Sequence, residues 1–359
     1  MLTNIKKILM GPTIACCTFI SLFILSEIVV RTLGTESDNL IMQDSVLGWV
    51  HVPNKNGYSR GEEFSVKVRI NKDGFIGRDY SYVKPENIVR ILTIGDSLTE
   101  AFQVSEEESY SRLLEDGLKS NFRNTNFEVL NMGIAGYGTQ REYYVLKDKG
   151  LKFNPDIVVL GFFTGNDFSD NMSGNIDPDA SFSKYRELKN QIKLFARNHF
   201  SVWRFILRKK SKNKVLAYLL KNKNDTDIIS GIDSEKDSRV DIKKQLDRTT
   251  ALVKNIEELA DGNGVSFVVA ILPSAGQVYN KDGNSDELKL QRGLMSFLEK
   301  ENINFVDLLP YFVDWARINP DKVGYYPLDG HPNNHGQSII AEGISDYLSE
   351  FLRNQNGNF

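Results

Sequence analysis

The chain has 359 residues, 41% of them hydrophobic and 25% charged, which is enough apolar material for one large domain and too balanced for a disordered or fibrous protein. A formal net charge of -3 gives no general attraction to nucleic acid, and the one basic cluster, Arg208-Lys209-Lys210-Ser211-Lys212-Asn213-Lys214, reads as a solvated face. The two cysteines, Cys16 and Cys17, lie together in an apolar N-terminal stretch, so the rest of the chain has neither a disulfide nor a thiolate metal site.

Ile8 through Leu25 carries no charge. At ~1.5 Å of rise per residue that stretch spans roughly 27 Å, close to the hydrocarbon thickness of a bilayer. Lys6 and Lys7 precede it, whereas Glu27, Arg31, Glu36 and Asp38 follow with no basic excess. The positive-inside rule then places the N-terminus in the cytoplasm and the rest outside, in the periplasm or at the cell surface. No small-residue cleavage site follows the stretch, and Thr13 is a poor residue to precede a lipidated Cys16. An uncleaved signal anchor over residues 1–34 is the expectation.

Residues 35–86 read as a β-rich lead-in. Val66, Val68 and Ile70 alternate with Lys67 and Arg69 as in a half-buried strand, and Asn71-Lys72-Asp73-Gly74 closes it as a turn. From residue 87 to 359 strands and helices alternate. Buried strands are expected at Val89–Ile94, Phe127–Leu130, Ile157–Phe163, Val265–Leu272 and Asn304–Leu308. Helices are expected near Ser109–Lys119, Gln140–Asp148, Lys243–Leu259 and Glu287–Glu299. The final helix places Ile340, Ile344, Tyr347, Leu348 and Phe351 on one face. Such alternation makes an α/β fold, a mostly parallel sheet between two layers of helices. An insertion at about residues 170–241 interrupts it, with an amphipathic helix expected over Tyr185–Leu220.

Ligands of such sheets bind at the carboxyl ends of the strands. After the first strand comes Gly95-Asp96-Ser97-Leu98, after the second Asn131-Met132-Gly133, after the third Thr164-Gly165-Asn166-Asp167. Asp329-Gly330-His331-Pro332-Asn333 stands before the last helix. Taken singly, Ser97 is an ordinary helix N-cap, Asn166 an ordinary turn residue and His331 an ordinary loop histidine. Together they supply what acyl transfer needs: a hydroxyl nucleophile, a base, an orienting carboxylate and oxyanion donors. Ser97 is the candidate nucleophile, His331 the base and Asp329 the acid. The Ser97 and Gly133 N–H groups and the Asn166 amide are the candidate oxyanion donors, with Gly133 read as a glycine so that its backbone can approach substrate. Of the four histidines, His51 falls in the lead-in and His199 in the insertion. His331 and His335 have i, i+4 spacing, but Pro332 follows the first and no Glu lies between them, against a zinc site.

These blocks resemble the SGNH hydrolases, the GDSL esterases and lipases, over roughly Val89 to the C-terminus without the insertion. Gly95-Asp96-Ser97-Leu98 resembles the nucleophile block, Gly133 and Asn166 match the glycine and asparagine oxyanion positions, and His331-Pro332-Asn333 resembles the block of the catalytic histidine. The family's usual Asp-x-x-His spacing falls on Leu328 here; Asp329 stands two before His331, as in some polysaccharide-acetylating relatives, and Asp321 is the alternative acid. The lead-in and anchor resemble a membrane-attached bacterial branch associated with surface polysaccharides.

The resemblance implies an SGNH-like three-layer α/β/α sandwich, with no metal or organic cofactor. The expected function is hydrolysis of acyl esters, O-acetyl above all, on a small molecule or a cell-surface glycan. O-acyltransfer to a polysaccharide by the same triad and a non-catalytic glycan-binding or assembly role are the alternatives. The membrane, through the N-terminal helix, is the other expected partner, and nucleic acid is not.

Overall fold

The computed structural model describes residues 2–33, 37–173, 242–279 and 286–354. The helix expected over Tyr185–Leu220 lies outside them. The described residues form two units, one the N-terminal helix with the chain up to Asn39, the other beginning at Leu40.

The first unit is a helix, α1, at Leu2–Leu33. Its Pro12–Val30 window has a mean hydropathy of 2.2 and is long and apolar enough to cross a membrane. Within that window Phe19 is 72% exposed and Leu22 61%.

The second unit is built on a sheet of five parallel strands. They are β5 (Ile88–Gly95), β6 (Asn126–Asn131), β7 (Ile157–Phe163), β8 (Ser266–Leu272) and β9 (Asn304–Asp307), in the spatial order β6-β5-β7-β8-β9. Period-two alternation divides their side chains between two cores. Leu92, Ile94, Val158, Leu160, Phe162, Val269 and Ile271 face one side. There they meet Val145 and Leu146 of α4 (Thr139–Asp148), Val253 and Ile256 of α6 (Ile242–Asp261), and Leu294 and Leu298 of α8 (Asp286–Lys300). Val89, Ile91, Ile157, Val159, Val268 and Ala270 face the other. Their partners are Leu114 and Leu118 of α3 (Tyr110–Asn121), Phe312 of α9 (Leu309–Ile318), and Ile340, Ile344 and Leu348 of α10 (Asn334–Asn354). This is the three-layer α/β/α arrangement. Burial on both faces explains why these strands read as continuous apolar runs.

Four α-helices had no counterpart among those expected from the sequence: the four-residue α2 (Ser97–Glu100), α5 (Asp167–Ser173), the short α7 (Ala275–Tyr279) and α9. Pro310 in the first turn of α9 is a start signal that could have revealed it. Helix α5 begins four residues after the end of β7 at Phe163.

The lead-in forms two antiparallel ribbons. β1 (Ile41–Asp44) pairs with β2 (Gly48–His51), and β3 (Asn56–Arg60) pairs with β4 (Ser65–Arg69). Val68 and Ile70 are buried, and Asn71 closes the following turn by accepting from the Asp73 and Phe75 N–H groups at 3.0 and 2.9 Å. Leu47, Val50, Phe75 and Tyr80 join the same core as Leu92 and Leu160, and Ile76 bridges antiparallel to Asn131, covering the end of the edge strand β6.

Candidate active site

From β5 the chain steps to β6 on one side, then crosses to β7 on the other. The crevice beyond the carboxyl end of β5 is therefore the topological switch point of the sheet. Ser97 stands there, two residues past the buried end of the strand.

Asp96 shapes that turn. One carboxylate oxygen caps α2 by accepting the Leu98 N–H at 2.9 Å, and the other accepts from the Asn166 side-chain amide at 3.1 Å. Asp96 is fully buried, and burial pushes its carboxyl up to about 6 against the lowering pull of the Leu98 N–H, the Asn166 amide and the His331 charge. The Asn166 amide so spends one of its two hydrogens on Asp96, and its carbonyl oxygen is buried without a partner among the described residues. Among those residues, none of the hydrogen bonds within the site uses the Ser97 N–H.

Gly133 differs from the sequence reading. A Cβ on it would stand 2.3 Å from the Glu100 nitrogen and 2.5 Å from the Thr99 carbonyl carbon, so its own fold requires a glycine, before any substrate is considered. Its N–H donates to the Asn131 side-chain oxygen at 3.0 Å, while the Asn131 amide donates to the Thr99 carbonyl at 2.6 Å. Asn131 thus clamps the loop after β6 onto α2.

The far side of the crevice is the segment before α10. His331 Nε2 lies 2.9 Å from Ser97 Oγ, and His331 Nδ1 lies 2.7 Å from Asp329 Oδ1. The carboxylate two residues before His331 is therefore the one at the ring, whereas Asp321 sits on an exposed turn. Gly330 has φ +87, a left-handed conformation that a side chain would strain and that lets Asp329 and His331 face each other across it. Burial lowers the basicity of His331, but the Asp329 hydrogen bond and the charges of Asp329, Asp96 and Glu100 raise it, and the net direction is upward. His335 is not in that hydrogen-bonded chain; its ring packs at a tilt on Trp315, with centroids 5.3 Å apart.

Gln337 ties the two sides together. Its amide donates to the Leu98 carbonyl at 3.2 Å and its oxygen accepts the Tyr110 N–H at 2.8 Å, pinning α10 to α2 and α3. Glu142 and Asp167 are both buried, and burial raises both carboxyls, helped by the charges of Asp96 and Asp170 at Glu142 and of Glu142 and Asp96 at Asp167. Among the described residues no group of His, Cys, Asp and Glu is arranged to hold a metal ion.

Sequence reasoning overlooked His51. It is fully buried, with Nε2 2.7 Å from Glu100 Oε1 and Nδ1 3.1 Å from the Gly74 carbonyl oxygen. The same Glu100 oxygen accepts the Ala135 N–H at 3.0 Å. No period or motif marks a lone lead-in histidine as the partner of a glutamate 49 positions away.

The profile of the GDSL-like Lipase/Acylhydrolase family matches residues 93–339, more than half of the chain. The protein belongs to that family. The GDSL-like lipases and acylhydrolases are ester-hydrolysing serine hydrolases, and acyl ester hydrolysis is the activity of this chain. An acetyl xylan esterase structure aligns at 15% identity over 72% of this chain and 98% of its own, with a TM-score of 0.41. The psychrotrophic esterase EstA from Pseudoalteromonas sp. aligns at 15% identity over 74% of this chain and 98% of its own, with a TM-score of 0.41. An acetylxylan esterase from Geobacillus stearothermophilus aligns at 14% identity over 72% and 93%, with a TM-score of 0.40. No curated protein sequence matches the chain.

Proposed function

We propose that this GDSL-family chain hydrolyses O-acyl esters, O-acetyl groups on a cell-surface carbohydrate in particular, through a Ser97-His331-Asp329 triad and an acyl-enzyme. The supporting observation is the unbroken chain from Ser97 Oγ to His331 Nε2 at 2.9 Å and from His331 Nδ1 to Asp329 Oδ1 at 2.7 Å, at the sheet's switch point. With the ring proton on Nδ1, donated to Asp329, Nε2 accepts from the Ser97 hydroxyl. Ser97 Oγ attacks the ester carbonyl carbon as its proton passes to Nε2, and the carbonyl electron pair moves onto oxygen. The Ser97 N–H and the second Asn166 amide hydrogen stabilise that oxyanion. The Gly133 N–H, already serving Asn131, is the weakest of the three donors. Collapse of the tetrahedral adduct expels the alcohol oxygen, which takes the proton from Nε2. Water, deprotonated by the same nitrogen, then releases the acid and restores Ser97.

The apolar window of the N-terminal helix can span a bilayer, and Lys6 and Lys7 before that window favour a catalytic unit on the outer side, where O-acylated glycans lie. Full-length protein in detergent, labelled with a fluorophosphonate, should carry the label on Ser97 alone. Nitrophenyl acetate should be turned over faster than longer-chain esters. Labelling at another serine, or none with activity retained, overturns the triad. Transfer of the acetyl group to an added oligosaccharide in preference to water would make the enzyme an acyltransferase.

A further inference from the structure

We propose that Glu63, in the lead-in hairpin, is a positioning residue that holds the triad acid Asp329 in register with His331; this rests on the triad reading above. Glu63 occupies the turn Gly61-Glu62-Glu63-Phe64 between β3 and β4. The turn is closed by the Gly61 N–H donating to the Phe64 carbonyl at 2.9 Å. A single carboxylate oxygen of Glu63 accepts two consecutive backbone N–H groups across the crevice, Leu328 at 2.8 Å and Asp329 at 2.9 Å. Two donors converging on one anionic oxygen fix both the position and the direction of that peptide.

The acid's segment needs such a fixture. It is a closed loop in which the Gly330 N–H donates to the Tyr326 carbonyl and the Tyr326 N–H to the His331 carbonyl, each at 2.8 Å. Those bonds shape the loop but do not attach its tip. Leu328, at the tip, is 54% exposed and adds no buried anchor. The attachments run through Tyr326, whose ring meets Phe64 at 5.5 Å and whose hydroxyl donates to the Gln103 carbonyl at 3.2 Å, and through Glu63. The lead-in hairpin thus grips the loop twice, at Phe64 and at Glu63, and Glu63 takes the backbone of the acid itself. His331 is held independently, by the bridge of Pro332 to Tyr325 and by the helix that Gln337 pins. Loss of Glu63 therefore frees Asp329 relative to a His331 that stays in place.

The test compares Glu63→Ala and Glu63→Gln in the full-length protein, each alone and in an Asp329→Ala background, with nitrophenyl acetate as substrate. Glu63→Ala should lower kcat by about 10- to 10²-fold, the scale of a roughly 1 Å misplacement, with KM nearly unchanged. Glu63→Gln keeps an oxygen acceptor for the two N–H groups and should recover most of the rate. The acid limb of the kcat/KM profile should move to lower pH in Glu63→Ala, because His331 loses its aimed carboxylate; a purely structural role would leave that limb in place. In the Asp329→Ala background Glu63→Ala should add less than about twofold, the signature of two residues acting as one unit. Equal losses in both backgrounds, or an unmoved limb with normal kcat in Glu63→Ala, would overturn the assignment while leaving the triad intact. Wild-type kcat in Asp329→Ala alone would instead overturn the acid reading, and the role of Glu63 with it.

Discussion

The two sides of the proposed catalytic crevice are held by different means. Ser97 follows a strand whose residues Ile91, Leu92 and Ile94 are fully buried, and its turn is capped by Asp96, itself fully buried. Asp329 and His331 sit on a surface loop, with side chains 29% and 27% exposed, and are fixed by a handful of hydrogen bonds. The nucleophile side is thus held by the core that folds the protein, whereas the acid–base side depends on local tethers. Substitutions around Ser97 should therefore read out in stability as well as rate, and those on the loop chiefly in rate.

Removing the base breaks the comparison most severely. His331→Ala should lower kcat by about 10⁶-fold, and Ser97→Ala combined with it should add little, since the pair acts as a unit. His335→Ala should retain most activity, because that ring packs on Trp315 away from Ser97. Steady-state turnover of nitrophenyl acetate measures all three, and comparable losses at His335 and His331 would undo the assignment of the base.

Asn166 belongs to the nucleophile side, and in the proposed mechanism its second amide hydrogen serves the oxyanion. Asn166→Ala should lower kcat by about 10²- to 10³-fold, roughly 2.7–4 kcal/mol, with little change in KM. A near-normal kcat per fluorophosphonate-titratable site, with a lowered melting temperature, would reduce Asn166 to a turn residue bonded to Asp96.

The loop side controls pH dependence. His331 is raised above its ordinary value, chiefly by Asp329 working against burial, and it must be neutral to act as base. Activity should therefore rise with pH and reach half its plateau above about 6.5, the unperturbed value for histidine. Asp329→Asn removes the raising charge and should shift that limb of kcat/KM downward in the residual activity. An upward shift, or none, would show that Asp329 does not govern the histidine.

The two sides were unequally legible in the sequence. Ser97, Asn166 and the α/β fold were readable because each strand is a buried apolar run, and the loops after the strands of a parallel sheet gather at one edge. His331 and Asp329 were readable as a pair two residues apart, with Asp321 kept as the alternative acid because the family's usual spacing falls on Leu328. Gly133 was found for a reason the structure replaces: its hydrogen atom faces the backbone of α2. Glu63 and His51 left no trace, because their partners lie 265 or more and 49 positions away and a turn glutamate or lone histidine carries no periodicity. Tertiary tethers of this kind are fixed by the packing of the lead-in on the sheet, which alternation alone does not orient.

The smallest effect on rate separates two of the tethers that the lead-in supplies. Glu63 reaches the loop side, whereas His51 reaches the nucleophile side, by bonding Glu100 at the end of α2. Ser97 does not need His51 for its own placement: Asp96, Asn131 and Gln337 already fix α2 through Leu98 and Thr99. The buried Glu100 carboxylate does need a partner, since without His51 it keeps, among the described residues, the Ala135 N–H alone. His51→Phe, which keeps a ring against Phe102 but no polar atom, should therefore destabilise the protein by about 1–3 kcal/mol, the cost of an unsatisfied buried group. Its kcat below the new unfolding transition should stay within about twofold of the parent, the spread of a site that is not coupled to the chemistry. Denaturant unfolding and nitrophenyl acetate turnover on the same preparation measure both. A large fall in kcat with an unchanged midpoint would mean that the lead-in aligns the nucleophile as well as the acid, and that the two sides of the crevice are held alike.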